Sequence, residues 1–147
     1  MFYESIGMLL GGAAESLAAG ADDASGDERE ARRRRQITTL VRRLGAVWTD
    51  LFAALAEETA ILEATLAGAL QAARANELPV PPSAGGAAPA DPLERYRAVM
   101  RELDELLIGF HAREEEAWAG EAVRRVRRGL ADAAEVQGRI VDAMLAA

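Results

Sequence analysis

Cysteine and lysine are both missing from the 147-residue chain, and histidine occurs once, at His111. Without a thiol there is no cysteine nucleophile and no cysteine-ligated zinc or iron–sulfur centre; with one imidazole there is no multi-histidine metal site. Aromatic residues make up 5% of the chain. No stretch alternates Val, Ile, Thr or aromatic residues with polar ones, so no strand is expected. Long apolar runs are absent as well. The opening segment, MFYESIGMLLGGAAESLAAG, is interrupted by Glu4 and Glu15 and falls short of the roughly 20 apolar residues that span a bilayer. It carries no Lys or Arg and so lacks the basic start of a secretory signal. A cytoplasmic protein, with no membrane partner, is the expectation.

Half of the residues are hydrophobic and 28% are charged, a globular composition within the length of one domain. The 24 acids outnumber the 17 arginines, for a net charge of −7. The charges are segregated: residues 1–31 carry seven acids against one Arg, and residues 32–43 carry six Arg and no acid. Blocks of opposite sign tend to pair along a helix or across a helix pair.

Ala, Leu, Glu and Arg, all strong helix formers, dominate the rest. Residues 2–19 form a candidate amphipathic helix, weakened by Gly11–Gly12 and followed by an acidic linker to residue 24. Ser25-Gly-Asp-Glu28 reads as a capping box opening a long helix over 26–76. Its apolar stripe is Ile37, Val41, Leu44, Trp48, Leu51, Leu55, Leu62, Leu66, Ala69 and Ala73. Such a helix would be about 75 Å long, and Gly45 is the natural place for a break. Residues 77–91 hold four of the five prolines and form a loop. Asp91-Pro92-Leu93-Glu94 then supplies an N-cap, a proline at the first helical position and an acid three residues after the cap. The stripe that follows is Leu93, Tyr96, Met100, Leu103, Leu107, Phe110 and Ala117, over 92–118; a last stripe, over 121–146, is Val123, Val126, Leu130, Ala133, Ile140 and Met144. The two are out of phase, which predicts a break at Gly120.

The fold expected is therefore all-α: one domain, an antiparallel bundle of three main helices plus the N-terminal amphipathic helix. One long two-helix hairpin is the alternative.

Three groups of residues stand out. Glu58, Glu114 and Gln137 each interrupt an apolar stripe. If the loop at 77–91 returns the chain antiparallel, Glu58 comes level with about residue 110, near Glu114, with Arg124 and Arg127 across the next turn. That predicts a polar core cluster fixing helix register. The sharper alternative is a carboxylate-based enzyme or metal site around Glu58, Glu114, Glu115 and His111, but no nucleophile or oxyanion donor accompanies it. Second, Arg32, Arg33, Arg34, Arg35, Arg42 and Arg43, with Arg125 and Arg128, offer a basic contact surface for phosphates. Four consecutive arginines point all round a helix, however, and Glu28, Glu30 and Glu121 each precede an Arg by four, the favourable order for helical ion pairs. Third, Phe2, Ile6 and Leu9 of the first helix, and Leu40, Val47, Phe52 and Ile61 beside the main stripe of the long one, exceed what a three-helix core buries. They form a candidate interface.

No motif carries a specific chemistry, and a helical bundle alone hosts many functions. The expectation is a non-enzymatic interaction module (an adaptor, an export-type chaperone or a small structural subunit), with no cofactor and a protein partner or second copy of itself. A nucleic-acid-associated subunit using the Arg clusters is the second expectation.

Overall fold

The computed structural model describes residues 2–21, 28–80 and 89–146, with the side chains of residues 2, 4, 7, 14, 16–21 and 28–30 left out. Four helices and no strand occur among these residues: α1 (Phe2–Ala21), α2 (Glu28–Ala75), α3 (Pro92–His111) and α4 (Ala117–Ala146). The protein is an all-α helical bundle in which α2, α3 and α4 contact one another. Two compact units are distinguished, one of residues 1–50 with 140–147 and one of residues 51–139. The 48-residue α2 is continuous through Gly45, where a break was expected. The proposed capping box at Ser25 lies outside the described residues.

In the unit of residues 51–139, α2 contributes Leu51, Ala54, Leu55, Leu62, Leu66, Ala69 and Ala73 to the core. Helix α3 adds Tyr96, Val99, Leu103, Leu106 and Phe110, and α4 adds Ala119, Ala122, Val123, Val126, Ala133 and Val136. Each large side chain so buried contributes about 1.5–3 kcal/mol. The alanines between them let the helix backbones approach closely.

Three cross-helix contacts fix the direction of α3. Near its start, Arg95 grips Glu63 of α2 through two hydrogen bonds, Nε to Oε1 at 2.5 Å and Nη2 to Oε2 at 2.6 Å. At its other end, Gly109 lies against Leu78, and Arg113 donates to the Asn76 carbonyl at 3.3 Å. Both Asn76 and Leu78 follow the C-terminus of α2. Helix α3 therefore runs parallel to α2. The fifteen residues 77–91 between them in sequence reach up to about 50 Å, more than the about 27 Å from residue 58 to residue 76 along α2. Antiparallel packing belongs to α4, where Gly129 meets Thr65, Gln137 meets Glu58 and Arg139 meets Glu57.

The ends of these helices are set by local chemistry. Asp91 Oδ1 accepts from the Glu94 amide at 2.8 Å, with Pro92 at the first position of α3, as its sequence predicts. Such a cap contributes about 1 kcal/mol. Helix α2 ends in a Schellman motif: the Leu78 amide donates to the Ala73 carbonyl at 2.9 Å and the Glu77 amide to Arg74 at 3.4 Å. This turn holds Glu77 at φ 54°, a left-handed conformation that glycine adopts without steric cost. Glu77→Gly is therefore expected to stabilise the protein by about 0.5–1 kcal/mol, read as a raised urea midpoint with an unchanged slope. An unchanged or lowered midpoint would count against the motif.

The break predicted at Gly120 lies elsewhere. Helix α3 stops at His111, residues 112–116 form successive turns, and Gly120 sits inside α4. The order of charges accounts for this. His111 and Arg113 fall at the C-terminal end of α3, where the helix dipole favours cations, and Glu114, Glu115 and Glu116 precede α4, where it favours anions. Phe110 and Trp118 close the hairpin edge to face, with ring centroids 6.0 Å apart.

In the unit of residues 1–50 and 140–147, the buried apolar residues are Ile6 and Ala13 of α1, Leu44 and Val47 of α2, and Ile140 of α4. Val41 and Trp48, expected on the buried stripe of α2, are 47% and 48% exposed. The inward line uses the steps 44–47–51 in place of 41–44–48.

Candidate functional site

Glu58 and Gln137 meet, as the interruptions of their stripes imply. The Gln137 Nε2 donates to Glu58 Oε1 at 2.6 Å, and the Glu58 side chain is only 1% exposed. Thr59, beside it, is also buried and donates its hydroxyl to the Leu55 carbonyl at 2.7 Å. One residue away, Arg139 Nη2 lies 2.7 Å from both carboxylate oxygens of Glu57, on the exposed flank. No described side-chain polar atom that is buried lacks a hydrogen-bond partner.

The other members of the expected polar cluster are not there. Glu114, Arg124 and Arg127 are exposed, and Glu114 lies in the turn between α3 and α4. The parallel course of α3 is the reason: it carries residue 110 to the C-terminal end of α2, whereas an antiparallel return would place it level with Glu58. Glu58 is consequently about 27 Å along the bundle from Glu114, Glu115 and His111. These four residues cannot form one carboxylate or metal site. Among the described residues no three His, Asp or Glu side chains are grouped to hold a metal ion. His111 instead has its Nδ1 at 2.7 Å from the Leu107 carbonyl and its Nε2 at 3.4 Å from Arg127. The Glu58 carboxylate is thus sealed from solvent between α2 and α4.

Two charged or polar features escaped the sequence. Glu102 of α3 is buried, three residues after Val99 and four before Leu106 on the inward face of the helix. The Glu63–Arg95 pair, at the mouth of a small groove lined also by Thr59, Ala60, Pro89 and Pro92, joins α2 to the end of the crossover. The hydrogen bonds that Arg95 donates to Glu63, and then the charge of Glu63, raise the Arg95 guanidinium pKa further. Both side chains are partly exposed, so the pair adds only modestly to stability.

The arginine cluster is sorted by the helix. Arg32, Arg35 and Arg43 line one open concavity of about 420 Å³ together with Gln36, Thr39 and Leu40. Arg33, Arg34 and Arg42 are exposed but do not line it. In α4, Arg125 pairs with Glu121, and Arg128 is exposed.

The candidate interface is also divided. Ile6 and Val47 are buried within their own unit and cannot meet a partner, because Val47 lies on the inward line of α2. Leu40 and Ile61 are half-buried, while Leu9 and Phe52 are exposed; the Phe2 side chain lies outside the described residues. Met8, Val41, Trp48, Val141 and Leu145 are further exposed apolar residues. Among the described residues no helix is long and apolar enough to cross a membrane. No protein-family model matches this chain, and no curated protein or solved structure is significantly similar to it.

Proposed function

We propose that this chain is a non-enzymatic helical interaction module, and that its first partner is a second copy of itself. The observation that carries this is the placement of exposed apolar side chains. Among the described residues nine large ones are exposed, and six of them (Met8, Leu9, Val41, Trp48, Val141 and Leu145) belong to the unit of residues 1–50 and 140–147. Among its described residues that unit buries few large side chains, and exposed apolar ones occur on all three of its helical segments. Patches beyond a few hundred Å² on a soluble protein mark contact surfaces, and a second copy brings a matching patch at no cost in specificity. The sealed Glu58–Gln137 pair supports a structural role over chemistry.

Sedimentation equilibrium at micromolar concentration tests the proposal. The expected mass is twice 15.7 kDa, and Met8→Glu with Leu145→Glu should return it to 15.7 kDa while leaving the helical circular dichroism unchanged. A 15.7 kDa species that does not grow on concentrating would overturn self-association.

A further inference from the structure

The concavity on the first half of α2 is lined by Arg32, Arg35 and Arg43, with Gln36, Thr39 and Leu40 between them. The spacing three, one, three, one and three keeps all six residues on one face of the helix. The three guanidinium groups are thereby strung over about 16 Å of helix axis. No acidic side chain is among the described lining residues, and none of the three arginines is held in an ion pair among the described residues. We propose that this face binds the phosphodiester backbone of a duplex nucleic acid without reading its bases.

Three features select that ligand over other anions. Guanidinium offers paired N–H donors matched to phosphate oxygens, and the site uses arginine throughout. The row is longer than one phosphate group, so a compact mono- or diphosphate would engage only part of it, whereas successive phosphates of a strand follow it. The described lining residues include no aromatic ring and so provide no platform for stacking unpaired bases, as single-strand binders use. Backbone contacts position a protein but carry no sequence information, and the binding is expected to be sequence-independent. With a net charge of −7 the chain gains no long-range attraction toward a polyanion. Affinity is then set by the local contacts, within the non-specific range of about 10⁻⁴–10⁻⁶ M. This inference is independent of self-association, since the exposed apolar residues are not part of the basic face.

The test is fluorescence anisotropy of the full chain with a labelled mixed-sequence duplex of about 20 base pairs, across about 25–200 mM KCl. Neutralising three phosphates predicts a slope of log K against log salt near about −2.7, which is a loss of about 40-fold between 50 and 200 mM. Arg35→Gln with Arg43→Gln should flatten the slope by about 0.9 per substitution and weaken binding at least about tenfold at low salt. Glutamine is a good helix former, so α2 should persist, as circular dichroism will report. Arg125→Gln with Arg128→Gln, on α4, should leave the binding unchanged. Absence of binding at the lowest salt would overturn the proposal and leave these arginines as counter-charges to the acidic residues 1–31. So would equal competition by inorganic tripolyphosphate or polyglutamate at matched charge, or a slope insensitive to Arg35 and Arg43.

Discussion

Gln137→Leu is expected to cost the folded protein about 2–3 kcal/mol, measured by urea unfolding at neutral pH. The substitution removes the Nε2 donor that sits 2.6 Å from Glu58 Oε1. Glu58 is among the most deeply buried side chains of the molecule, on the same helix face as Leu55 and Leu62. Its desolvation is already complete, so losing a donor is not repaired by water. Glu58 has a further interaction besides Gln137, which keeps the cost below the 3–5 kcal/mol typical of an orphaned buried ion. Glu58→Gln should be milder, within about 1 kcal/mol, since an amide keeps the shape and its oxygen still accepts from Gln137 while no charge needs burying. The double substitution Glu58→Leu with Gln137→Leu should come within about 1 kcal/mol of the parent, because two apolar groups of similar size leave nothing unsatisfied. A Gln137→Leu protein as stable as the parent would mean the pair contributes nothing.

The pair also accounts for why α4 takes one register along α2. Gln137 is opposite Glu58, and two residues further along α4, Arg139 is opposite Glu57. Sliding α4 by one residue would point the Gln137 amide away and leave the buried carboxylate facing apolar groups. Apolar stripes rich in Ala tolerate such slips, since neighbouring positions differ little in shape. One buried polar pair removes the degeneracy.

The sequence carries local rules more faithfully than long-range ones. The start of α3 at Asp91-Pro92 is written in three adjacent residues, and the stripe Leu62, Leu66, Ala69, Ala73 follows from helical period alone. Further toward the N-terminus, two lines of three- and four-residue steps pass through Leu44 and Leu51, one by way of Trp48 and one by way of Val47. Period cannot choose between them. The choice falls to whatever packs on the helix, and Val47 is the buried one. The end of α3 was legible, though not in the glycine: the change from His111 and Arg113 to three glutamates marks one helix's end and the next one's beginning. The direction of α3 has no local signature, because a fifteen-residue connection is long enough either to turn back at the end of α2 or to reach its middle before α3 starts. That single unknown displaced Glu114, Arg124 and Arg127 from the expected cluster, while Gln137 still meets Glu58. Helical period groups positions 32, 35, 39 and 43 and sets 33 and 34 apart, but it also places 42 about 20° from 35, so the separation of Arg42 from the concavity is not legible on the wheel.

Gly129→Ala should destabilise the protein by about 2 kcal/mol, although alanine is the better helix former by about 1 kcal/mol. Gly129 is buried where α4 crosses α2, and a methyl group built on it would stand 2.0 Å from Thr65 Oγ1, 2.7 Å from Cγ2 and 2.9 Å from Cβ. All three distances are inside van der Waals contact, and the clash reaches the Cβ atom, so rotating Thr65 cannot relieve it. Thr65 is additionally held by its hydroxyl, which donates to the Ile61 carbonyl at 2.9 Å. A β-branched side chain in a helix has little rotamer freedom in any case. The two helices must then move apart, loosening the alanine-lined contact on either side and straining the Gln137–Glu58 hydrogen bond two turns away. Thr65→Ala should rescue the variant in part, because it removes Oγ1 and Cγ2, the two closest atoms, and leaves only the 2.9 Å approach of the two methyl carbons to be relieved by a small shift. A double-mutant cycle on Gly129 and Thr65 should therefore show a coupling of about 1–2 kcal/mol, where two independent sites would show none. Gly138 of the same helix provides the control: nothing lies within 4 Å of a methyl group there, so Gly138→Ala should stabilise by up to about 1 kcal/mol. If Gly129→Ala and Gly138→Ala raise stability alike, α4 does not cross α2 at Thr65, and the register built on Glu58 and Gln137 falls with it.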